Sequence, residues 1–334
     1  MKISSLKLHQ WAFTYIILIL WLVYMSYTQQ WYLFKDYWFI TITMIFGSFI
    51  AGATAEGGGA VAFPVMTLLF KITPPIARNF SLAIQSCGMT SAAYFMFSRK
   101  VAIEKTYLSL CSIGGLFGIF FGGYLIAPYL SPSYTKMFFV SLWLSFGVVL
   151  FYLNTQTRRD VKQKLPTLVI KETIFLIFIG FLGGIVTSIA GSGLDILTFA
   201  VVTTRYHLSE KVAVPTSVCL MAGNTVIGFL FHLFILKDFG IQEFHYWLVA
   251  IPVVIFIAPF SAYFISNQTR DFIATLLYLV LVAQFFAACL IIPVWKSWLL
   301  FLFTVSVFTI GLLLFWRLSL QFQTPKISNH NDNV

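Results

Sequence analysis

Two short glycine runs interrupt otherwise apolar stretches of this sequence. Gly57-Gly58-Gly59 follows directly on Glu56, and Gly191-Ser192-Gly193 stands two residues before Asp195. Glycine inside a helix costs about 1 kcal/mol relative to alanine, so each run is a natural break. Unwound backbone at membrane depth is tolerated only against protein or a watery cavity. A helix that restarts beyond such a break points N–H groups and the positive end of its dipole at that cavity, which suits an anion. Close helix packing through small residues is the competing reading of either run. Two runs at corresponding places favour a site, because paired broken helices mark substrate sites in transporters.

The side chains nearby fit the same chemistry. An acid at the bilayer centre costs roughly 2.5–3.5 kcal/mol on insertion scales, so Glu56 and Asp195 should line a cavity or pair with a base. As protonatable carboxyls they are candidates for carrying a coupling proton; as fixed partners of a cation they are structural. Arg78 and Asn79 open the helix after the first break. The arginine fork suits an oxyanion, and it equally suits a snorkelling interfacial charge. Ser81, Gln85, Thr216, Ser217, Asn224 and Thr225 supply hydroxyls and amides on two matching helices, either to a ligand or as glue between helices. His232 is a proton relay or a satisfied core imidazole.

Other chemistries find no support. Cys87, Cys111, Cys219 and Cys289 lie in apolar runs with no CxxC pair and no histidine at metal-ligand spacing, so no metal or other cofactor is expected. Neither HExxH nor GxSxG occurs. Gly193-Leu194-Asp195 has the wrong spacing for an intramembrane aspartyl protease and lacks a Tyr-Asp partner. The chain therefore reads as no enzyme. An intramembrane enzyme and a non-transporting membrane subunit are the alternatives to a transporter.

Composition says what must position these residues. Of 334 residues 59% are apolar and 10% charged, against about 25% charged in ordinary globular domains. Lipid is the solvent that makes such a composition stable. The formal charge of +10 is of the kind that nucleic-acid binding proteins carry, but Lys and Arg sit in short loops between apolar runs and form no basic stripe. The fold class expected is an all-α polytopic membrane protein. Residues 1–36 hold a first span, Trp11–Tyr27, read as retained because no small-x-small cleavage site follows it. Residues 37–153 form a first transmembrane repeat, 154–172 a cytoplasmic loop, 173–296 a second repeat, 297–320 a final span and 321–334 a polar tail.

The halves are related. Gly57 and Gly59 match Gly191 and Gly193 at an offset of 134, and Ala77 to Ser81 match Ala213 to Ser217 at an offset of 136. Two matches in one order at nearly one offset point to duplication. Charge fixes the parity. If each interrupted region crosses the membrane once, Lys and Arg divide 11 inside to 10 outside; if each dips in and returns, they divide 15 to 6. Only the second split obeys the positive-inside rule. It also leaves an odd number of full spans per repeat, so the repeats should be inverted. The expected setting is the cell's inner membrane, with both termini cytoplasmic, a small anion as substrate and a proton as coupling ion. A homodimer is left open.

These residues carry a family resemblance. Gly47-Ser48-Phe49-Ile50-Ala51-Gly52, then Glu56 to Pro64, then Ala77 to Leu82, resembles the TauE/SafE family of membrane permeases. A weaker second copy runs from Gly180 to Phe199 and from Ala213 to Val218. The resemblance implies export or uptake of sulfite, sulfonates or related sulfur-containing anions. The sequence departs from the family pattern twice: Glu56 replaces an apolar residue, and the second copy lacks an equivalent of Pro64.

Overall fold

In a computed structural model, which describes residues 8–58, 62, 63, 65–155 and 161–320, 84% of the described residues are helical. Eleven longer helices follow in order: α1 (Ala12–Thr28), α2 (Trp38–Ala53), α3 (Pro74–Ser98), α4 (Lys105–Leu125), α5 (Pro132–Thr155), α6 (Ile170–Ala190), α7 (Leu194–Thr204), α8 (Glu210–Leu230), α9 (Ile241–Ser266), α10 (Arg270–Ile291) and α11 (Trp298–Leu320). Their ends carry ordinary signals. Pro74 and Pro75 start α3, where a missing N–H costs nothing. The Glu104 carboxylate caps α4 by accepting from the Thr106 N–H, and Thr269 caps α10 in the same way. Gly191 closes α6 in the left-handed conformation.

Among the described residues eight helices are long and apolar enough to cross a membrane: α1, α4, α5, α6, α8, α9, α10 and α11. The second interrupted region thus pairs a full-length arm, α6, with the 11-residue α7. The first has the 16-residue α2 as its leading arm, and the chain beyond the break includes a single wide helical turn, Val65–Leu69. Helix α3 starts at Pro74, six residues before the apolar run at Phe80 that marks it in the sequence. Arg78 and Asn79 hide that first turn from a hydropathy reading, yet both are buried and bonded to each other.

Helices α3 and α8 pack against each other at the centre, and most of their surface is buried. Around them the packing maps onto itself when the halves are exchanged. Helix α2 lies on α9 as α6 lies on α4; α3 touches α9 as α8 touches α4; and α5 touches α10. The α4–α6 crossing is the closest. Gly114, Gly118 and Gly122 on α4 meet backbone of Ile177, Phe181 and Ile185, while Gly180 and Gly184 on α6 meet backbone of Cys111 and Gly115. Without side chains in the way, the helices approach to backbone contact, as membrane helices with small residues at every fourth position do. Lipid-compatible side chains cover the outside, among them Leu20, Phe46, Phe117, Phe178, Leu279 and Leu313.

Candidate functional site

Each break ends a helix and turns the chain inward. After α2, Thr54 is extended and donates from its N–H to the Ile50 carbonyl; the Thr54 hydroxyl then accepts from the Glu56 N–H at 3.3 Å, and Gly57 takes a φ of +66°. After α6, Gly191 stands at φ +79° and Gly193 at φ +142°. These are conformations that glycine reaches without a Cβ penalty. Gly58 keeps a negative φ. Gly59 lies outside the described residues.

The two breaks meet. Gln85 on α3 donates through Nε2 to the Gly191 carbonyl at 2.7 Å and to the Ser81 hydroxyl at 2.9 Å. A Cβ on Gly57 would stand 2.5 Å from Asp195 Oδ2 and 2.6 Å from Gln85 Oε1. Glycine at 57 is what lets the first break approach the second. Gln85 Oε1, Asp195 Oδ2 and Glu56 Oε1 are all buried, and none has a hydrogen-bond partner. Buried polar atoms are nearly always paired, so two orphan acceptors converging at Gly57, with a third on the neighbouring Glu56, need a reason. The other Glu56 oxygen accepts from the Gln284 amide.

The restart of α7 differs from the sequence expectation in one respect. Its first N–H groups are already taken: Gly193 donates to Asp195 Oδ1 at 3.1 Å and Leu194 donates to the Thr187 hydroxyl at 2.9 Å. Asp195 caps its own helix, so a ligand anion would compete with a carboxylate.

Of the residues singled out in the sequence, Glu56, Gly57, Ser81, Gln85, Gly191, Ser192, Gly193 and Asp195 come together here. Thr216 and Ser217 bond to carbonyls one turn back in α8, and Thr216 also accepts the Glu104 N–H. Asn224 is buried with neither amide atom partnered, beside Gly115 of α4. Arg78 and Asn79 belong to a second cluster. Arg78 Nη2 donates to Asp238 Oδ2 at 2.9 Å, Asn79 Nδ2 donates to the Asp238 carbonyl, and His232 Nδ1 lies 2.8 Å from Asp238 Oδ1. Partial burial works to raise the Asp238 carboxyl, but His232, Arg78 and Asn79 outweigh it and hold it below the usual carboxylate range.

Two cavities serve these clusters. The wider one, about 460 Å³, is lined by Pro74, Arg78, Ala127, Leu236 and Asp238. A narrow chamber of about 20 Å³ is lined by Glu56, Lys136, Trp143, Ser192, Ile196 and Gln284. Phe63 and Thr135 line both. The sequence reading missed Lys136 and Gln284. Lys136 follows Pro132 at the mouth of an apolar run and counts there as a loop charge, though it is only 6% exposed. Gln284 is an amide in the middle of an apolar run, and that isolation is a signal the sequence did offer.

A family profile described as Sulfite exporter TauE/SafE matches residues 40–287, about three-quarters of the chain. The chain belongs to the TauE/SafE family. The matched residues of this TauE/SafE chain include both breaks, both central helices and the chamber residues Lys136 and Gln284. Comparisons with curated proteins and with solved structures returned no match. TauE/SafE is a family of sulfite and sulfonate permeases, which agrees with a multi-pass helical chain whose buried polar groups gather at two broken helices.

Proposed function

We propose that this protein is a secondary transporter that moves sulfite, a sulfonate or another small sulfur-containing anion across the inner membrane by alternating access. One observation carries the reading: the two interrupted regions, one from each half, meet at a buried cluster of partly unpartnered polar atoms beside a chamber. Such a cluster is expensive in a protein that only binds partners. The exchange-symmetric packing of the halves supports inverted repeats, and rocking of one against the other would open the chamber first to one side and then to the other.

The polar groups at the two ends of the spans support the same motion. At one end of α6 and α8, Ile189 and Leu236 line the wide cavity. At the other end of α6 and α8, Glu172 pairs with Arg205 at 2.7 Å, and Glu210 faces Arg270 at 3.7 Å and accepts from Asn154 at 3.3 Å. These contacts would close the cytoplasmic side and would break when the transporter turns inward. With that end taken as cytoplasmic, both termini are cytoplasmic in this reading, which agrees with the 15-to-6 charge split. Accordingly, with Cys87, Cys111, Cys219 and Cys289 replaced, a lone cysteine introduced as Lys326→Cys should resist an impermeant thiol reagent applied to intact cells. Strong labelling from outside would overturn the topology.

Glu56 and Asp195 are the candidates for the coupling proton. A proton on Asp195 would turn it into a donor beside Gln85 Oε1, the other orphan acceptor converging at Gly57. It would also weaken the carboxylate's hold on the Gly193 N–H and free that donor for the substrate. In proteoliposomes carrying a pH gradient, Asp195→Asn and Glu56→Gln should both remain folded, and the one that removes the proton carrier should lose the gradient-driven part of sulfite flux. The variant whose flux still follows the gradient as in the parent does not carry the proton.

A further inference from the structure

Lys136, in the second turn of α5, lines the chamber together with Glu56 of the first break and Ser192 of the second. Its side chain is buried, and among the described residues no hydrogen bond or ion pair reaches it. An ammonium withdrawn from water costs several kcal/mol unless something compensates it. The nearest candidate is Glu56, which lines the same chamber, but no ion pair closes between them, and Glu56 gives one oxygen to Gln284 instead. The chamber therefore holds one cation, one acid with an unpartnered oxygen, the Ser192 hydroxyl and the Gln284 amide.

Resting on the transporter reading above, we propose that this chamber is the substrate site and that Lys136 holds the anionic head of the substrate there, with Ser192 and Gln284 as hydrogen-bond donors. The charges decide what else must happen. Lys136 and an ionised Glu56 cancel, so a monoanion makes the chamber net negative unless Glu56 takes a proton. Asp195, the other acid facing Glu56, adds to that repulsion. Each singly charged substrate consequently enters with one proton, and the proton sits on Glu56. The volume of about 20 Å³ holds roughly one water, which is less than a four-atom oxyanion needs. This conformation is therefore closed around the site. Phe63 and Thr135 line both cavities, so substrate entering from the wide one would pass beside them.

The test is calorimetric binding to the full chain in lipid nanodiscs, with sulfite, methanesulfonate, sulfate and acetate as probes between pH 5.5 and 8. Loss of one charge-assisted contact corresponds to about a tenfold to hundredfold change in affinity. Lys136→Met should lose at least that much, while Lys136→Arg, which keeps the charge, should stay within about fivefold of the parent. Read with methanesulfonate, which stays a monoanion throughout, parent affinity should fall on the alkaline side by about tenfold per pH unit, as one linked proton demands, and Glu56→Gln should flatten that slope while still binding. A folded Lys136→Met that binds as the parent does would overturn the proposal. Should Lys136→Met fail to fold, the Lys136→Met/Glu56→Gln pair restores a neutral chamber, and binding by that pair would overturn it equally. Binding of acetate but of no sulfur anion would overturn the substrate class alone, and the same variants would then be read with acetate. If the parent binds none of the four probes, the site is not an anion site.

Discussion

Gly57→Val should reduce anion flux by about a hundredfold or more while the protein still inserts and folds. At φ +66° a Cβ meets the following backbone, at a cost of roughly 1–2 kcal/mol for an ordinary residue and more for a β-branched one. The added carbon would also stand where Asp195 Oδ2 and Gln85 Oε1 converge. Those groups cannot withdraw freely, because Asp195 is tied to the Gly193 N–H and Gln85 to the Gly191 carbonyl. The first break must then move away from the second, and a displacement of about 1 Å at a site is enough to lose two orders of magnitude. Gly58→Ala is the control. Its φ is ordinary, and a Cβ there would find its nearest neighbours at 3.5–3.7 Å, so more than about half the flux should survive. Flux of labelled sulfite into proteoliposomes, together with thermal unfolding of each variant, separates the cases. Parent-like flux in Gly57→Val would remove the meeting of the breaks from the mechanism.

A second substitution should act on stability instead. Gly118→Val adds a branched side chain where α4 and α6 are in backbone contact. Its Cβ would overlap the Phe181 carbonyl oxygen and come within 3.0 Å of the Gly184 Cα. Backbone atoms of a long packed helix cannot turn aside as a side chain can. The helices must separate along a seam that also holds Gly114 and Gly122, so the loss should reach about 3 kcal/mol, the upper end for overpacked cores. We expect little folded protein after extraction and a much lower unfolding midpoint. Gly223→Ala makes the opposite case: no atom lies within 4 Å of its Cβ position, and the exchange gains about 1 kcal/mol of helix propensity. Its midpoint should match or exceed the parent's. A parent-like midpoint in Gly118→Val would mean that the crossing is looser than the backbone contacts imply.

What the sequence by itself determined follows from strong, local signals. Long apolar runs with few charges require lipid and helices, since a lone segment in hydrocarbon must satisfy its own backbone. Glycine runs flanked by Glu56 and Asp195 mark breaks because glycine is costly in a helix wherever it occurs. Their repetition at one offset, with the small-residue motifs beside them, was enough to recognise the family that residues 40–287 match. Other features depended on which helices touch, and no single-sequence pattern encodes that. Arg78 looked equally suited to substrate and to the interface; only the approach of Asp238 from 160 residues away assigns its charge a partner. The dipole of α7 looked free for an anion until Asp195 proved to cap it. Lys136 counted as a loop charge because hydropathy sees its neighbours in the chain, whereas its environment is set by Glu56, Ser192 and Gln284, brought by three other segments. Sequence fixes what each short stretch must do with its own backbone, while the pairing of buried charges and orphan acceptors is decided by contacts between distant helices, and in this protein those contacts make the site.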